Sequence, residues 1–453
     1  MTPDWINHTC FYHIYPLGLC GAPQVNQFDQ TPEPRLDRLY PWLDHMQSMG
    51  VNALYLGPVF QSTSHGYDTV DYYHVDRRLG DNHTLRRFSD ILHQRGMRLV
   101  LDAVFNHVGR DFWAFQDVLT HGEQSPYRDW FHNLRFGERS PKGDPFNYEG
   151  WHGHHSLVKL NLSHPNVRAH IFNAVAQWIE LFNIDGLRLD AADSIEFDFL
   201  SALKDFTSRI RDDFWLMGEV VHGDYRQWAN PTRLHAVTNY TCYKALHSSL
   251  NEGNYHEIAY ELNRLFGPAG IYRELLLYNF VDNHDVDRVA SKLKNPAWLY
   301  PLYLLMFTMP GIPSIYYGSE WGVEGAKEPW SDVPLRPSLE LSQIAVQAPQ
   351  PNLEESIQRL AALRQDSPAL RLGDYCPVHV DHRQFAFLRQ FEGETMLVVL
   401  NSALENVELT LTLPWQNAIL SDHLNSEESF FIKDGKVTLP IPTNWGRVLS
   451  LRQ

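Results

Sequence analysis

Strand-like and helix-like segments alternate from residue 11 to about residue 370, and eight strand candidates fall within that span. Acidic residues recur where those strands end. Together these observations predict an α/β protein built on a (β/α)8 TIM barrel. Past residue 371 short alternating segments replace the helices and predict a small antiparallel β domain. With 453 residues the chain exceeds a lone barrel of about 250 residues and leaves room for an added module.

Cys10 to Pro16 reads as the first strand, Leu36 to Met49 as a helix stopped by Gly50, and Asn52 to Gly57 as the second strand. Thr84 to Arg95 is an amphipathic helix, with Leu85, Phe88, Ile91 and Leu92 on one side and Gly96 as its stop. Arg98 to Val104, nearly continuous in apolar residues, is a third strand with both faces buried. Residues 108–160, rich in Asp, His, Trp, Gly and Pro, lack periodicity and predict an irregular insertion overhanging the barrel mouth. Ser163-His164-Pro165 then opens a helix that carries Ile171, Val175, Trp178, Ile179 and Phe182 at helical spacing. Further strands are expected at 185–190, 214–219, about 235–239, 275–281 and 312–317, with a helix near 196–211. In the C-terminal part the segments 385–391, 395–400, 406–412 and 436–441 are joined by turn signals such as Glu392-Gly393 and Asp434-Gly435. The expected division is therefore 1–107 and 161–371 for the barrel, 108–160 for the insertion and 372–453 for a C-terminal β-sandwich.

The formal charge is −16, from 38 basic and 54 acidic residues, which argues against a nucleic-acid partner and favours a neutral or cationic ligand. Thirteen Trp and twenty-one Tyr are more than a core needs, and flat aromatic faces suit the apolar faces of sugar rings. Cys10, Cys20, Cys242 and Cys376 are too widely spaced for a metal pattern and read as buried thiols. No stretch approaches 18 uninterrupted apolar residues, so no membrane span is expected. Asp4 and the lack of an apolar run before Cys10 do not make a signal peptide, which points to the cytoplasm.

The chemistry concentrates on the strand ends. In Gly186-Leu187-Arg188-Leu189-Asp190, strand alternation puts Arg188 and Asp190 on one face and both leucines on the other. Alone, that pair reads equally well as a structural ion pair. Two further strand ends, Gly218-Glu219 and Asn283-His284-Asp285, add carboxylates, and Asn106-His107 follows the third strand. Cleaving an acetal needs one carboxylate at the anomeric carbon and one carboxylic acid to protonate the leaving oxygen. Arg188 would keep Asp190 ionised, while Met217, Val220 and neighbouring negative charge would keep Glu219 protonated.

These stretches, Asp102-Ala103-Val104-Phe105-Asn106-His107, Gly186 to Asp190, Gly218-Glu219 and Phe280 to Asp285, resemble the four signature regions of the α-amylase family, glycoside hydrolase family 13. The resemblance implies Asp190 as nucleophile, Glu219 as general acid/base and Asp285 as the carboxylate that orients the transition state. It implies His107 and His284 as hydrogen-bond partners of the sugar before the cleaved bond, Arg188 as the partner of Asp190, and Tyr67 as an aromatic platform under that sugar. Leu54 to Phe60, Tyr67 to Tyr72, Tyr127 to Phe131 and Val158-Lys159-Leu160-Asn161 are similar to the neopullulanase and cyclomaltodextrinase branch. Three departures stand out. The first strand begins near residue 10, where that branch usually carries an N-terminal β domain, which leaves oligomeric state and preference for cyclic substrates open. Val221 stands where the branch often has Trp. Asp193-Ser194 replaces the Lys-His of typical α-amylases, and with it a calcium and sugar contact; Asn106 remains as an isolated calcium candidate. The expected activity is retaining hydrolysis of α-1,4-glucosidic bonds in malto-oligosaccharides or related α-glucans, with no required cofactor. A transglycosylase with the same site and a non-catalytic sugar-binding barrel are the alternatives.

Overall fold

Apolar strands too short to bury themselves are joined here by amphipathic helices, and the sheet closes on itself. The computed structural model of the chain describes residues 2–425 and 428–452. Strands β1 (Phe11–Ile14), β2 (Ala53–Leu56), β3 (Arg98–Ala103), β4 (Gly186–Leu189), β5 (Trp215–Gly218), β6 (Ala236–Val237), β7 (Tyr278–Asn279) and β8 (Ile312–Tyr316) form one parallel sheet. Their spatial order is 6-5-4-3-2-1-8-7, and a bridge from Thr238 to Tyr278 closes the ring. Inside the ring Phe11, Tyr55, Val100, Trp215, Met217 and Tyr278 pack as a separate aromatic-rich core. Leu187 and Leu189 face outward into the large core beneath the helices, as alternation requires.

β6 and β7 are shorter than their apolar runs suggest. Side-chain amides replace the missing ladder: Asn239 Nδ2 donates to Asn279 Oδ1 at 2.8 Å, and Asn279 Nδ2 to the Pro310 carbonyl at 2.8 Å. Asn239 then caps the helix Tyr240–Asn251 through the Cys242 amide, so β6 cannot continue. The helix at 165–182 is capped by the His164 side chain, which accepts from the Asn166 amide, and not by Ser163.

The segment after β3 is more regular than expected. It holds the helix Trp113–His121 and a three-stranded antiparallel sheet of His107–Gly109, Gly150–Trp151 and His154–Lys159. The helix escaped notice because only Ala114, Phe115 and Val118 of its nine residues are buried, too few for a visible period.

After the helix Leu353–Asp366 the chain forms eight antiparallel strands between Asp374 and Arg452, in one continuous hydrogen-bonded sheet. Four of them, Asp374–Val380, Asn417–Asp422, Ser429–Lys433 and Trp445–Arg452, were not evident in the sequence. One face of this sheet encloses its own core around Leu388, Leu397, Leu420 and Leu439. The other contributes Phe385, Phe387, Val398 and Val448 to the core of the barrel. Cys10, Cys20, Cys242 and Cys376 are free thiols, the first three buried. Among the described residues no helix is long and apolar enough to cross a membrane.

Candidate active site

The residues singled out on separate strands converge at the C-terminal ends of the barrel strands, around one guanidinium. Arg188, 3% exposed, is the registered neighbour of Asp102 on β3, and the two side chains point into the barrel. Its Nη1 lies 3.0 Å from Asp102 Oδ1 and 3.0 Å from Asp190 Oδ1, and its Nη2 lies 2.9 Å from Glu219 Oε1. Arg188 thus joins Asp190 as expected, but it also holds Glu219 and Asp102. Burial works to strip its charge, and the surrounding Asp102 and Glu219 more than compensate.

That single cation serves three carboxylates, with Asp285 nearby. Burial raises the Asp190 carboxyl well above its ordinary range; Arg188 opposes this, while Glu219, Asp102 and Asp285 add to it. The expectation that Arg188 alone would hold Asp190 ionised is therefore incomplete, because its charge is divided. Asp285 shows the opposite balance. Burial pushes it up, yet His284 and Arg336 override that and hold it well below the usual carboxylate range. His284 Nε2 is 2.9 Å and Arg336 Nη2 is 2.8 Å from its oxygens.

Local backbone geometry aims these groups. Ala191, directly after Asp190, sits in the left-handed region at φ +45°, and its amide donates to Glu219 Oε2 at 3.1 Å. A non-glycine residue there stores strain that the site retains. Gly218 allows Glu219 its approach: a Cβ on it would lie 2.5 Å from Leu234 Cδ1 and 2.8 Å from Ala192 Cβ. Asn283 Oδ1 accepts from the amides of Asp285 and Val286 and so fixes the turn after β7. Tyr240 donates to Glu219 Oε1 at 3.3 Å.

The remaining expected residues line the same hollow. His107 Nε2 is buried, 3.8 Å from Asp190 Oδ2, with no hydrogen-bond partner, and its ring leans against Trp151. Burial pulls its pKa down to about 3, with His65 adding to the effect, so the ring is neutral at ordinary pH. The Tyr67 ring lies parallel to that of His284 at 5.4 Å, and its hydroxyl reaches both His284 Nε2 and Asp102. Sequence reasoning missed Asp102 as a site member, along with Tyr55 (which donates to Asp102 at 2.7 Å), Tyr240 and Arg336. An acid inside an otherwise apolar strand was an available signal for Asp102. Nothing marked Arg336, which reaches Asp285 from 51 residues away.

Asn106 does not head a calcium cage. It lines a cavity of about 450 Å3 with Glu149, Trp151, Lys159 and Ser194, where Lys159 Nζ already pairs with Glu149 Oε1 at 3.0 Å. Its amide faces His107 Nδ1 at 3.2 Å, and among the described residues no cluster of three His, Cys, Asp or Glu could hold a metal. A cavity already furnished with an ammonium group and a single carboxylate does not fit a hard dication.

Known proteins share this architecture. The family model described as "Alpha amylase, catalytic domain" matches residues 36–348, and that described as "Maltogenic Amylase, C-terminal domain" matches residues 376–441. A cyclomaltodextrinase of Bacillus sp. is 33% identical over 427 residues, covering 88% of this chain and 74% of that protein. A solved structure of a cyclomaltodextrinase superposes with TM-score 0.87 at 29% identity, covering all of this chain and 79% of the other. The cyclic α-maltosyl-(1→6)-maltose hydrolase from Arthrobacter globiformis superposes with TM-score 0.83 at 26% identity, with both chains fully covered.

Proposed function

The chain belongs to the α-amylase family of glycoside hydrolases, and we propose that it cleaves α-1,4-glucosidic bonds of malto-oligosaccharides or related α-glucans with retention at the anomeric carbon. The observation that carries this reading is the sharing of Arg188 by Asp190 and Glu219, which holds the two carboxyl groups within the span of one guanidinium. A retaining pair stands about 5–5.5 Å apart, whereas an inverting pair is spread wider to admit a water molecule. Asp190 is the nucleophile and forms a glycosyl ester as the leaving oxygen takes its proton from Glu219. Glu219 then removes a proton from water, which attacks the anomeric carbon and frees Asp190. Asp285, kept anionic by His284 and Arg336, accepts hydrogen bonds from sugar hydroxyls and opposes the positive charge of the oxocarbenium-like transition state. The orphaned Nε2 of His107 supplies a hydrogen bond to the same sugar. Tyr67, stacked with His284, forms the floor.

The test is a substrate panel of maltoheptaose, cyclodextrins, pullulan, isomaltose, sucrose and trehalose, with the anomer of the first product read by NMR. Malto-oligosaccharide or cyclodextrin cleavage giving the α-anomer is expected; a β-anomer would refute retention. Asp190→Asn should lower turnover by several orders of magnitude, to roughly the level left when a catalytic nucleophile is removed. Near-native turnover in that variant would overturn the assignment.

A further inference from the structure

The segment that follows β8 returns Arg336 to Asp285, and on the way it presents one side chain that the fold does not use. Trp330 is 98% exposed, more than any other large apolar side chain among those described. An indole left in water forgoes the burial that stabilises most large apolar side chains, so its placement calls for a reason outside the core. The turn that carries it is closed by a reciprocal pair of bonds: Glu328 and Ser331 exchange backbone hydrogen bonds at 3.1 and 3.3 Å, with only Pro329 and Trp330 between them. Its base is tied to the active site twice. The Lys327 amide donates to Asp287 Oδ1 at 2.6 Å, two residues beyond Asp285. Lys327 Nζ pairs with Asp332 at 3.1 Å, Asp332 with Arg336 at 3.2 Å, and Arg336 with Asp285 at 2.8 Å. A flat apolar face is thus set at the rim of the barrel and registered to the carboxylates by consecutive ion pairs.

We infer that Trp330 is a distal binding platform on which a glucosyl residue of an α-1,4-glucan stacks once the chain has emerged from the catalytic hollow. The inference rests on the α-glucan reading above. A pyranose offers an apolar C–H face to the indole and hydroxyls to the flanking polar residues. The chain's net charge of −16 suits such a neutral ligand better than an anionic one. Trp330 therefore favours oligosaccharides long enough to reach the rim over short ones.

The experiment uses Asp190→Asn to stop turnover and calorimetric titration with maltotriose and maltoheptaose, alone and combined with Trp330→Ala or Trp330→Phe. Trp330→Ala is expected to weaken maltoheptaose binding by about 3- to 10-fold, the scale of one aromatic stacking contact. The preference for maltoheptaose over maltotriose should fall by the same factor, and Trp330→Phe should keep most of it. Unchanged maltoheptaose affinity in Trp330→Ala, or an equal loss for both sugars, overturns the platform and leaves the α-glucan reading standing. Failure of either sugar to bind Asp190→Asn overturns that reading and the platform with it. A dimer that becomes monomeric in Trp330→Ala with no change in sugar affinity would assign the indole to a contact between copies, which also overturns the inference.

Discussion

Asp190 shows how the active site is built at a cost to the fold. Folding raises its pKa above the ordinary carboxylate value of about 4, so ionising it costs more in the folded protein than in the unfolded chain. Above that value the ionised carboxylate destabilises the folded state; the penalty grows until the folded pKa is passed and then stays constant. Asp190→Asn removes the penalty, while Arg188 keeps Asp102 and Glu219 as partners. We expect this variant to be more stable than the parent at pH 7 by roughly 0.5–2 kcal/mol, with the gain fading as the pH falls toward 4. Urea melts at several pH values measure it; a variant less stable at pH 7 would mean that the attraction of Arg188 outweighs burial and repulsion. At this scale the sequence was informative where a residue sits beside a strand end. Asp190, Glu219, Asp285, His107, His284 and Arg188, all at strand ends, come together, and Tyr67, named from the family resemblance and not from its position, lies beside His284. Arg336 and Tyr240 could not be read, because only the closing of the ring brings β6, the turn after β7 and the segment after β8 beside one another.

Elements set the aim of those side chains, and the steepest constraint lies at the end of β5. Gly218 is wedged between Leu234 and Ala192, which belong to the segments following β5 and β4. Gly218→Ala must displace one of them, and both flank the backbone that positions Glu219 and Asp190. The expected cost is about 1–3 kcal/mol of stability, typical of an overpacked site, together with a drop in kcat exceeding any change in KM. If kcat held while stability fell, the wedge would be purely structural. β3 was legible because Leu99-Val100-Leu101, apolar on both faces, has few other uses, and β4 because Leu187 and Leu189 alternate with Arg188 and Asp190. β6 and β7 were overestimated, since sequence patterns do not reveal that Asn239 and Asn279 replace ladder bonds with side-chain ones. The C-terminal strands that were missed contain interruptions: Pro377 in Asp374–Val380, after which the register shifts, and Gly446 in Trp445–Arg452, which stays paired but has no side chain to carry the alternation.

For the whole molecule, the question is whether the C-terminal sheet is an appendage or part of the barrel's stability. Its outer face shares the barrel's core through Phe385, Phe387, Val398 and Val448. Carboxylates bridge the two parts, Arg273 pairing with Asp374 at 2.6 Å and Glu394 accepting from Ser367 Oγ and the Ala369 amide, and a buried arginine adds a crossing of its own. Arg389, 1% exposed, reaches from the C-terminal sheet to the Thr308 carbonyl and also donates to that of Gly373, while Arg364, beside it but within the barrel, donates to the carbonyls of Phe307 and Leu370 at 2.8 Å. Phe307 and Thr308 end the helix Leu299–Thr308, where unpaired carbonyls and the negative end of the helix dipole meet. Burial lowers the Arg364 guanidinium to about 10, and burial with Arg364 alongside pulls Arg389 well below its ordinary range. Both would pass for surface residues in the sequence, which is why the packing of the two parts was not legible there although each part was. Arg389→Ala leaves the Thr308 and Gly373 carbonyls buried without these donors, at about 1–3 kcal/mol for each unsatisfied group. We therefore expect a lower urea midpoint with the transition still single, and loss of activity coinciding with loss of near-UV circular dichroism. Should the C-terminal sheet melt first in the parent protein while activity persists, the junction would not couple the two parts. A shared core and helix-end carbonyls satisfied from across the boundary require them to unfold together.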